Sequence, residues 1–407
     1  MFRTIGNALH SFSSWLNLPL FITLIGGGLF FMVRSRFIPL RYYTKGLKAV
    51  GVKEENVSGQ LSSFQALTSA IAATVGLGNI SGVAVAITIG GPGAIFWMWV
   101  SACLGMATKF FEGTLSVMFK GKDSAGEMQG GTMYMITEGM GKKWKPLAVL
   151  FSLFGMIGTF CLMQSNQLTE ALQTVVFTPA GIENTLLLRF IVGICIAGIV
   201  SIVVLGGISR IGKVASLIVP FMVGFYFLLV LYIIFSNLGV VPDVFRSIFS
   251  NAFDLKAGAG GFAGSVIVIG ARRAAFVNEA GVGTATMMHG ASRNSEPVRE
   301  GLVAMIAPTI DSGLVCTLTA LAVLINAQYT VSNVQGMQMV MESFERSIPG
   351  WGTYLLMVVV LVFAFSTMFS YSYYGTKCTG FLFGAHRAHY YNYLFLATLV
   401  MGAVIPL

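Results

Sequence analysis

Charge is scarce in this chain. Only 10% of its 407 residues are Asp, Glu, Lys or Arg, against about 25% in a soluble domain, so a water-facing globular surface is excluded. Cysteine is also rare: Cys103, Cys161, Cys195, Cys316 and Cys378 are scattered through apolar segments with no CxxC spacing, which reads as packing rather than as a thiolate metal site or redox pair. The four histidines, His10, His289, His386 and His389, fall at the ends of apolar runs or between them. No Ser/His/Asp arrangement or metal cluster accompanies them, so covalent chemistry is not expected and the chain is not read as an enzyme. There is no GxxxxGK[ST] loop, which argues against ATP-driven transport by this chain alone. No polar connection, the longest being 34–61, 120–146 and 237–257, has room for a soluble domain.

What the chain has instead is apolar residues, 55% of the total, with 48 glycines and a mean hydropathy of +0.79. Runs of the length that crosses a bilayer, about 20 residues, fall near 17–33, 62–90, 93–119, 147–168, 186–207, 214–236, 258–282, 301–325, 353–375 and 390–407. The expectation is a single all-α integral membrane domain over residues 1–407, whose first partner is the lipid bilayer. The first run lacks a small-residue cleavage site and reads as a retained helix, not a signal peptide. The net charge of +9 does not indicate nucleic acid, because of where it sits: if connections alternate sides, 19 of the 25 basic residues fall on one side. The basic side is the cytoplasmic one, so the chain is expected to be multi-pass in the cell inner (plasma) membrane with its N-terminus outside.

Residues 74–86, TVGLGNISGVAVA, put three glycines, an asparagine and a serine inside an otherwise apolar span. Irregular backbone at membrane depth survives only where protein or a water-filled cavity covers it. Solute transporters use such interrupted helices: freed N–H groups opening the second half-helix suit a carboxylate, and freed carbonyls closing the first suit a small cation. A simple kink, or small residues for close helix packing, gives the same pattern. Ionisable residues inside spans are functional candidates by default. Asp311, beside Ser312 in an apolar run, is the sharpest; it can serve a cation site or hold the bundle together. Lys109 and Glu112, three apart on one helical face, read as a structural pair. Glu279 follows Arg272 and Arg273, which suggests either a gating salt bridge or an anchor at the headgroups. In span seven, Gly264 and Gly270 bracket a second break, expected between Ser265 and Phe276, with Ile269 and Gly270 as pocket residues and Phe276 as an aromatic lid.

Six ordered stretches then carry a resemblance: GLGNISGVAVA (76–86), GGPGAIFWMWVSACLGMATKFFEG (90–113), GGTMYMI (130–136), NEAGVGTA (278–285), IDSGLVCTLTAL (310–321) and FAFSTMFSYSYYG (363–375). Together they resemble the alanine or glycine:cation symporter family. That family is similar to the amino-acid transporters typified by the bacterial leucine transporter, which implies two inverted five-helix repeats preceded by one N-terminal span. Span one would be 17–33, repeat one about 62–236, and repeat two about 258–407.

The resemblance further implies a secondary symporter that couples sodium entry to uptake of alanine, glycine or a similar small neutral amino acid by rocking one helix bundle against the other. The substrate carboxylate would meet the backbone N–H groups of Leu77 and Gly78, with Thr74, Gly76 and Asn79 close by and Gln164 facing the substrate. Tyr371 stands where a tryptophan closing the pocket is expected. Sodium would be held by the hydroxyls of Ser366 and Thr367 and the carbonyls of Ala72 and Val75, a neutral oxygen cage, with Asp311 as a further candidate ligand. A channel-like or non-transporting protein of the same fold, or a symporter for another small solute, is the alternative; the carboxylate site favours amino acids. Two repeats and a leading span need eleven helices, yet the chain stops at Leu407 inside the tenth run, so the last helix is expected to be missing; a fragment is the favoured reading and a shortened relative with a partly open bundle the other. Thr376 also stands where the family pattern has Glu.

Overall fold

The computed structural model describes residues 19–52, 59–253, 266–326 and 336–405. It is helical apart from one two-residue hairpin, β1 (Gly121–Lys122) and β2 (Met128–Gln129), paired with Gly121 opposite Gln129. The helices are α1 (Pro19–Arg34), α2 (Tyr43–Val50), α3 (Ser63–Thr74), α4 (Leu77–Gly90), α5 (Gly93–Met118), α6 (Lys145–Gly158), α7 (Leu162–Leu172), α8 (Leu186–Val204), α9 (Gly207–Ser236), α10 (Val241–Asn251), α11 (Val266–Asn278), α12 (Thr286–Gly290), α13 (Pro297–Ala304), α14 (Cys316–Ile325), α15 (Met337–Ser347), α16 (Gly352–Phe383) and α17 (Tyr390–Val404).

Six helical segments are long and apolar enough to cross a membrane: α5, Lys142–Phe177, α8, α9, Pro297–Ile325 and α16; α3 and α4 add a seventh as one span bent by 45°. These coincide with seven of the ten apolar runs. The remaining three runs carry the shorter described helices α1, α11 and α17, and residues 17–18, 258–265 and 406–407 of those runs lie outside the described residues.

Lipid-facing and core-facing sides are written into the pattern of small residues. α5 is the post against which α11 and α13 lie, and glycine sets those crossings. A Cβ on Gly113 would sit 2.6 Å from that of Ala304, and one on Gly270 would run into the Ala94 carbonyl. Small residues at such contacts let backbones approach and gain dispersion, the main attraction available in lipid. By contrast Leu217, Leu228 and Phe235 of α9 are 76%, 64% and 64% exposed and face outward. α16 passes through the middle, packed on α3, α6 and α9.

Candidate functional site

The first break lies where glycine and asparagine fall in span two. α3 starts with a capping box, Ser62 accepting from the Gln65 N–H at 3.1 Å while Gln65 accepts from the Ser62 N–H at 3.0 Å, and ends at Thr74. Val75 and Gly76 are extended, and α4 begins at Leu77. Asn79 makes the gap stable. Its Oδ1 accepts the Gly76 N–H at 3.0 Å, and its own N–H turns to the Gly76 carbonyl at 3.0 Å. Both N–H groups are thereby taken from the carbonyls four residues back, Ala72 and Val75, to which they would donate in a continuous helix. The break thus frees two carbonyls at the end of α3. At the start of α4, the N–H groups of Leu77 and Gly78 are helix-initial and have no intrahelical partner.

Asn79, expected beside the substrate, is on the wall of the cavity described below; it is fully buried, and its side chain is engaged by the scaffold. Besides capping Gly76, its Nδ2 donates to the Asp311 carbonyl at 3.4 Å. Thr319 returns a bond to the Asn79 carbonyl at 2.9 Å and meets the Tyr226 hydroxyl at 2.7 Å. Asp311 lies in a π-helical stretch, Thr309–Val315, a geometry enriched at functional sites. One of its carboxylate oxygens accepts the Ser312 N–H; the other, Oδ2, is buried with no hydrogen-bond partner, as is the Ser312 hydroxyl. The Asp311 carboxyl also lies within reach of the Thr74 and Ser312 hydroxyls, an oxygen-rich buried cluster that fits a cation.

The second break is not where the glycines of span seven suggest. α11 is an unbroken helix from Val266 to Asn278, so the expected interruption is absent from the described part of that window; Gly264 and Ser265 lie outside the described residues. Gly270 serves the crossing with α5, against Ala94 and Trp97, and Ile269 packs beside Gly90. Neither lines the cavity described below. The chain turns instead at Glu279, with φ 52°, followed by Gly281 and Gly283 at φ 91° and 87°. Buried charge holds this turn. Lys109 and Glu112 pair at 3.4 Å, as their spacing predicts, and each also reaches across: Lys109 Nζ donates to the Glu279 carbonyl at 3.3 Å, and Glu112 accepts the Gly281 N–H at 2.9 Å. The expected salt bridge from Glu279 to Arg272 or Arg273 is not formed. The Glu279 carboxylate accepts instead from the hydroxyls of Tyr371 and Thr284. Arg273 donates from Nε to the Gly82 carbonyl at 2.8 Å, and Arg272 lies over the Phe276 ring.

Between the two breaks is a cavity of about 290 Å³. Thr74, Gly76, Leu77, Gly78, Asn79, Gln164, Phe276, Thr367 and Tyr371, all singled out from the sequence, line it. The space beside Gly78 is open, with no atom within 4 Å of a Cβ built there. Gln164 faces the cavity, and no described residue hydrogen-bonds its amide. At Gly76 the position is reversed: a Cβ would lie 2.5 Å from Thr367 Oγ1, so only glycine lets that hydroxyl reach the break. Ser366 and Thr367 both donate to the Phe363 carbonyl of their own helix, at 2.9 and 3.1 Å. Ser366 is buried and off the cavity wall. Sequence reasoning missed Arg273, Gln167, Ser81, Met163 and Val277 on the wall. Gln167 carried a usable signal, lying three residues after Gln164 on the same helical face.

The cavity continues toward one end of the bundle. Ser81, Gln167 and Arg273 are shared with an adjoining cavity of about 310 Å³ that continues past Val85 and Thr174. At the far end of α3 the chain is tied down. Residues 59–61 lie along 291–293 as a parallel bridge, with Gln60 N–H to Ala291 O at 2.9 Å and Arg293 N–H to Leu61 O at 2.7 Å. Glu300 pins this tie from within. Its carboxylate accepts from Ser63 at 2.8 Å and from Asn294 at 3.0 Å, and faces His289 Nδ1 at 2.7 Å. His289 lies in the connection between spans seven and eight, as expected, and is buried there in the short helix α12. Lys120 Nζ donates to the Ser292 carbonyl at 3.0 Å; burial pushes its ammonium below the usual range, and the nearby Glu300 charge offsets part of that.

A membrane-spanning bundle with a broken helix at a polar cavity that continues toward one end has the construction of a solute transporter. The comparisons agree. The chain belongs to the sodium:alanine symporter family, whose family model matches residues 3–407. It is 37% identical to the sodium/alanine symporter AgcS of Methanococcus maripaludis over 95% of this chain and 85% of that one. It is 36% identical to the amino-acid carrier protein AlsT of Bacillus subtilis over 89% of this chain and 77% of that one. The fold resembles that of a manganese transporter from Eremococcus coleocola, with a TM-score of 0.53 at 12% identity over 85% of this chain and 74% of the other. The chain is therefore a multi-pass membrane transporter of the sodium-coupled amino-acid symporter family, and not an enzyme.

Proposed function

We propose that this transporter carries alanine, glycine or a similarly small neutral amino acid together with sodium, both bound at the first break. The observation that carries this reading is the double capping by Asn79, which frees the carbonyls of Ala72 and Val75 on one side and leaves the N–H groups of Leu77 and Gly78 facing the cavity on the other. A carboxylate fits the N–H end, where the helix dipole is positive. A sodium ion fits the carbonyl end, with Thr367 Oγ1 against Gly76 as the third oxygen and Asp311 Oδ2 as a charged ligand nearby. Ser366 is the weaker candidate, since its hydroxyl is buried behind the wall. Gln164 and Tyr371 face the substrate.

The two breaks, at 75–76 and 279–283, are read as the first helices of two inverted five-helix repeats, about 62–236 and 258–407, after the N-terminal span 17–33. With the basic connections cytoplasmic and the N-terminus outside in the plasma membrane, the cavity faces outward and the tie at 59–61 and 291–293 seals the inner side. Transport then needs the seal to part as the outer cavity closes. Coupling follows if the half-filled site disfavours that switch.

Separate alanine substitutions divide the hydroxyl pair. Thr367→Ala is expected to lower sodium affinity at least tenfold in sodium-dependent amino-acid binding, and Ser366→Ala to change it less than threefold; the reverse order contradicts the assignment of Thr367. Gln164→Ala is expected to weaken amino-acid affinity roughly tenfold, the equivalent of one hydrogen bond of about 1.4 kcal/mol, with the sodium dependence unchanged. Equal amino-acid affinity in parent and variant would remove Gln164 from the site.

A further inference from the structure

A second polar cavity, of about 220 Å³, lies on the face of α16 turned away from the candidate site. Tyr371 faces the broken helix, whereas Tyr373, Thr376 and Lys377 line this other space together with Asp123, Gln129, Tyr134 and Asn392. The apolar junction of α8 and α9, at Val204 and Ile208, forms its far wall. Transport through the site between the two breaks makes no use of it.

The balance of donors and acceptors here is unusual for a part-buried place. Lys377 carries three N–H donors on its ammonium. One goes to the side-chain carbonyl of Gln129, and the ammonium lies 5.2 Å from the Tyr373 ring centroid. No described acid forms an ion pair with it. The one carboxylate in the wall, Asp123, acts on Lys377 by charge but its oxygens are taken: Oδ1 accepts the N–H groups of Ala125 and Glu127 at 2.9 and 3.1 Å, and Oδ2 accepts from Gln129 Nε2 at 2.9 Å. The Tyr373 hydroxyl is buried without a partner. Asn392 accepts the Thr376 hydroxyl at 2.9 Å through Oδ1, which leaves its Nδ2 donors unused by any described residue. Thr376, adjacent to Lys377, contributes a neutral hydroxyl where a carboxylate would have supplied the counter-charge. A part-buried ammonium at the end of α16 read as cytoplasmic, with two of its three donors unused by any described residue, leaves room for a partner, and spare donors on separate walls call for an acceptor with several oxygens.

We propose that this cavity binds a phosphate group, with Lys377 supplying the charge and Tyr373 and Asn392 the remaining hydrogen bonds. The phosphate comes either from a soluble phosphate or from the headgroup of an anionic phospholipid. Bound there, it joins α16, the helix that carries Thr367 and Tyr371, to the hairpin β1–β2 and to the α8–α9 junction, which the conformational switch would have to respect.

The test uses the full chain, purified. Calorimetric titration with inorganic phosphate in lipid-free detergent is one arm; native mass spectrometry after reconstitution in phosphatidylglycerol or phosphatidylcholine is the other. Saturable phosphate binding identifies a soluble source, and retention of phosphatidylglycerol without phosphatidylcholine identifies a lipid source. Either supports the proposal, provided that Lys377→Gln and Thr376→Glu each weaken binding at least tenfold and Tyr373→Phe weakens it to a lesser degree. Monodisperse elution and a parental thermal transition check that the variants are folded. Should Lys377→Gln fail that check, Thr376→Glu decides, since it keeps the lysine and adds only a negative charge. Absence of binding in both arms, or binding that Thr376→Glu leaves unchanged, overturns the proposal.

Discussion

A Gly78→Val chain is expected to insert, fold and elute like its parent and to bind no amino acid in the presence of sodium. The position has open space on the side where a Cβ would point, so the valine meets no neighbour and strains no helix. The space it fills is the cavity directly in front of the N–H groups of Leu77 and Gly78. A carboxylate displaced from two backbone donors loses two charge-assisted hydrogen bonds, each worth about 1.5–3 kcal/mol. That corresponds to a loss of affinity of at least about a hundredfold. Equilibrium binding of labelled alanine and glycine at saturating sodium measures it. A folded Gly78→Val chain with parental affinity would remove the broken helix from the account.

The second large effect is on stability. Glu300→Ala takes away an acceptor on which Ser63, Asn294 and His289 converge at the tied end of the bundle. The loss leaves buried donors without partners, at about 1–3 kcal/mol each, so a total of about 3–5 kcal/mol is expected, the range seen when one partner of a buried polar pair is removed. Thermal unfolding of purified protein should show the drop, and Glu300→Gln, which keeps an acceptor oxygen, should show a smaller one. Because Ser63 begins α3 and Glu300 lies in α13, the same change weakens the seal. A Cys replacing Ser292, which is fully buried in the bridge with Leu61, should then become more reactive towards a thiol reagent applied from that side. Parental stability and parental reactivity together would show that the cluster does not hold the seal.

The first break was legible because the residues that make it are local. Glycine and asparagine inside an apolar run have few other uses there, and Asn79 performs its capping within three residues of Gly76. Nearly every side chain named from that stretch duly lines the cavity. The second break was missed for a physical reason. Gly270 attracts attention as a helix breaker, yet in a membrane a glycine in a helix more often serves a close crossing, as Gly270 does against Ala94. The turn falls instead at Glu279, a residue whose positive φ no propensity suggests, held by charges 170 residues or so away in sequence, Lys109 and Glu112. The pairing of those two was readable from their spacing; what they hold was not, since a long-range target leaves no local pattern. The same limit hid Arg273. Its charge reads as an anchor at the end of a helix, but its partner is the Gly82 carbonyl of α4, within reach only because the two helices meet beside the cavity.

The central claim is that sodium and amino acid share the first break. It is tested most directly by binding of labelled alanine to the purified chain in sodium, in potassium, and in sodium with Thr367→Ala. The account predicts saturable binding in sodium, none above background in potassium, and an alanine affinity in the variant that recovers as sodium is raised. Alanine binding of equal strength in sodium and potassium, or a variant whose loss no sodium concentration restores, would contradict it.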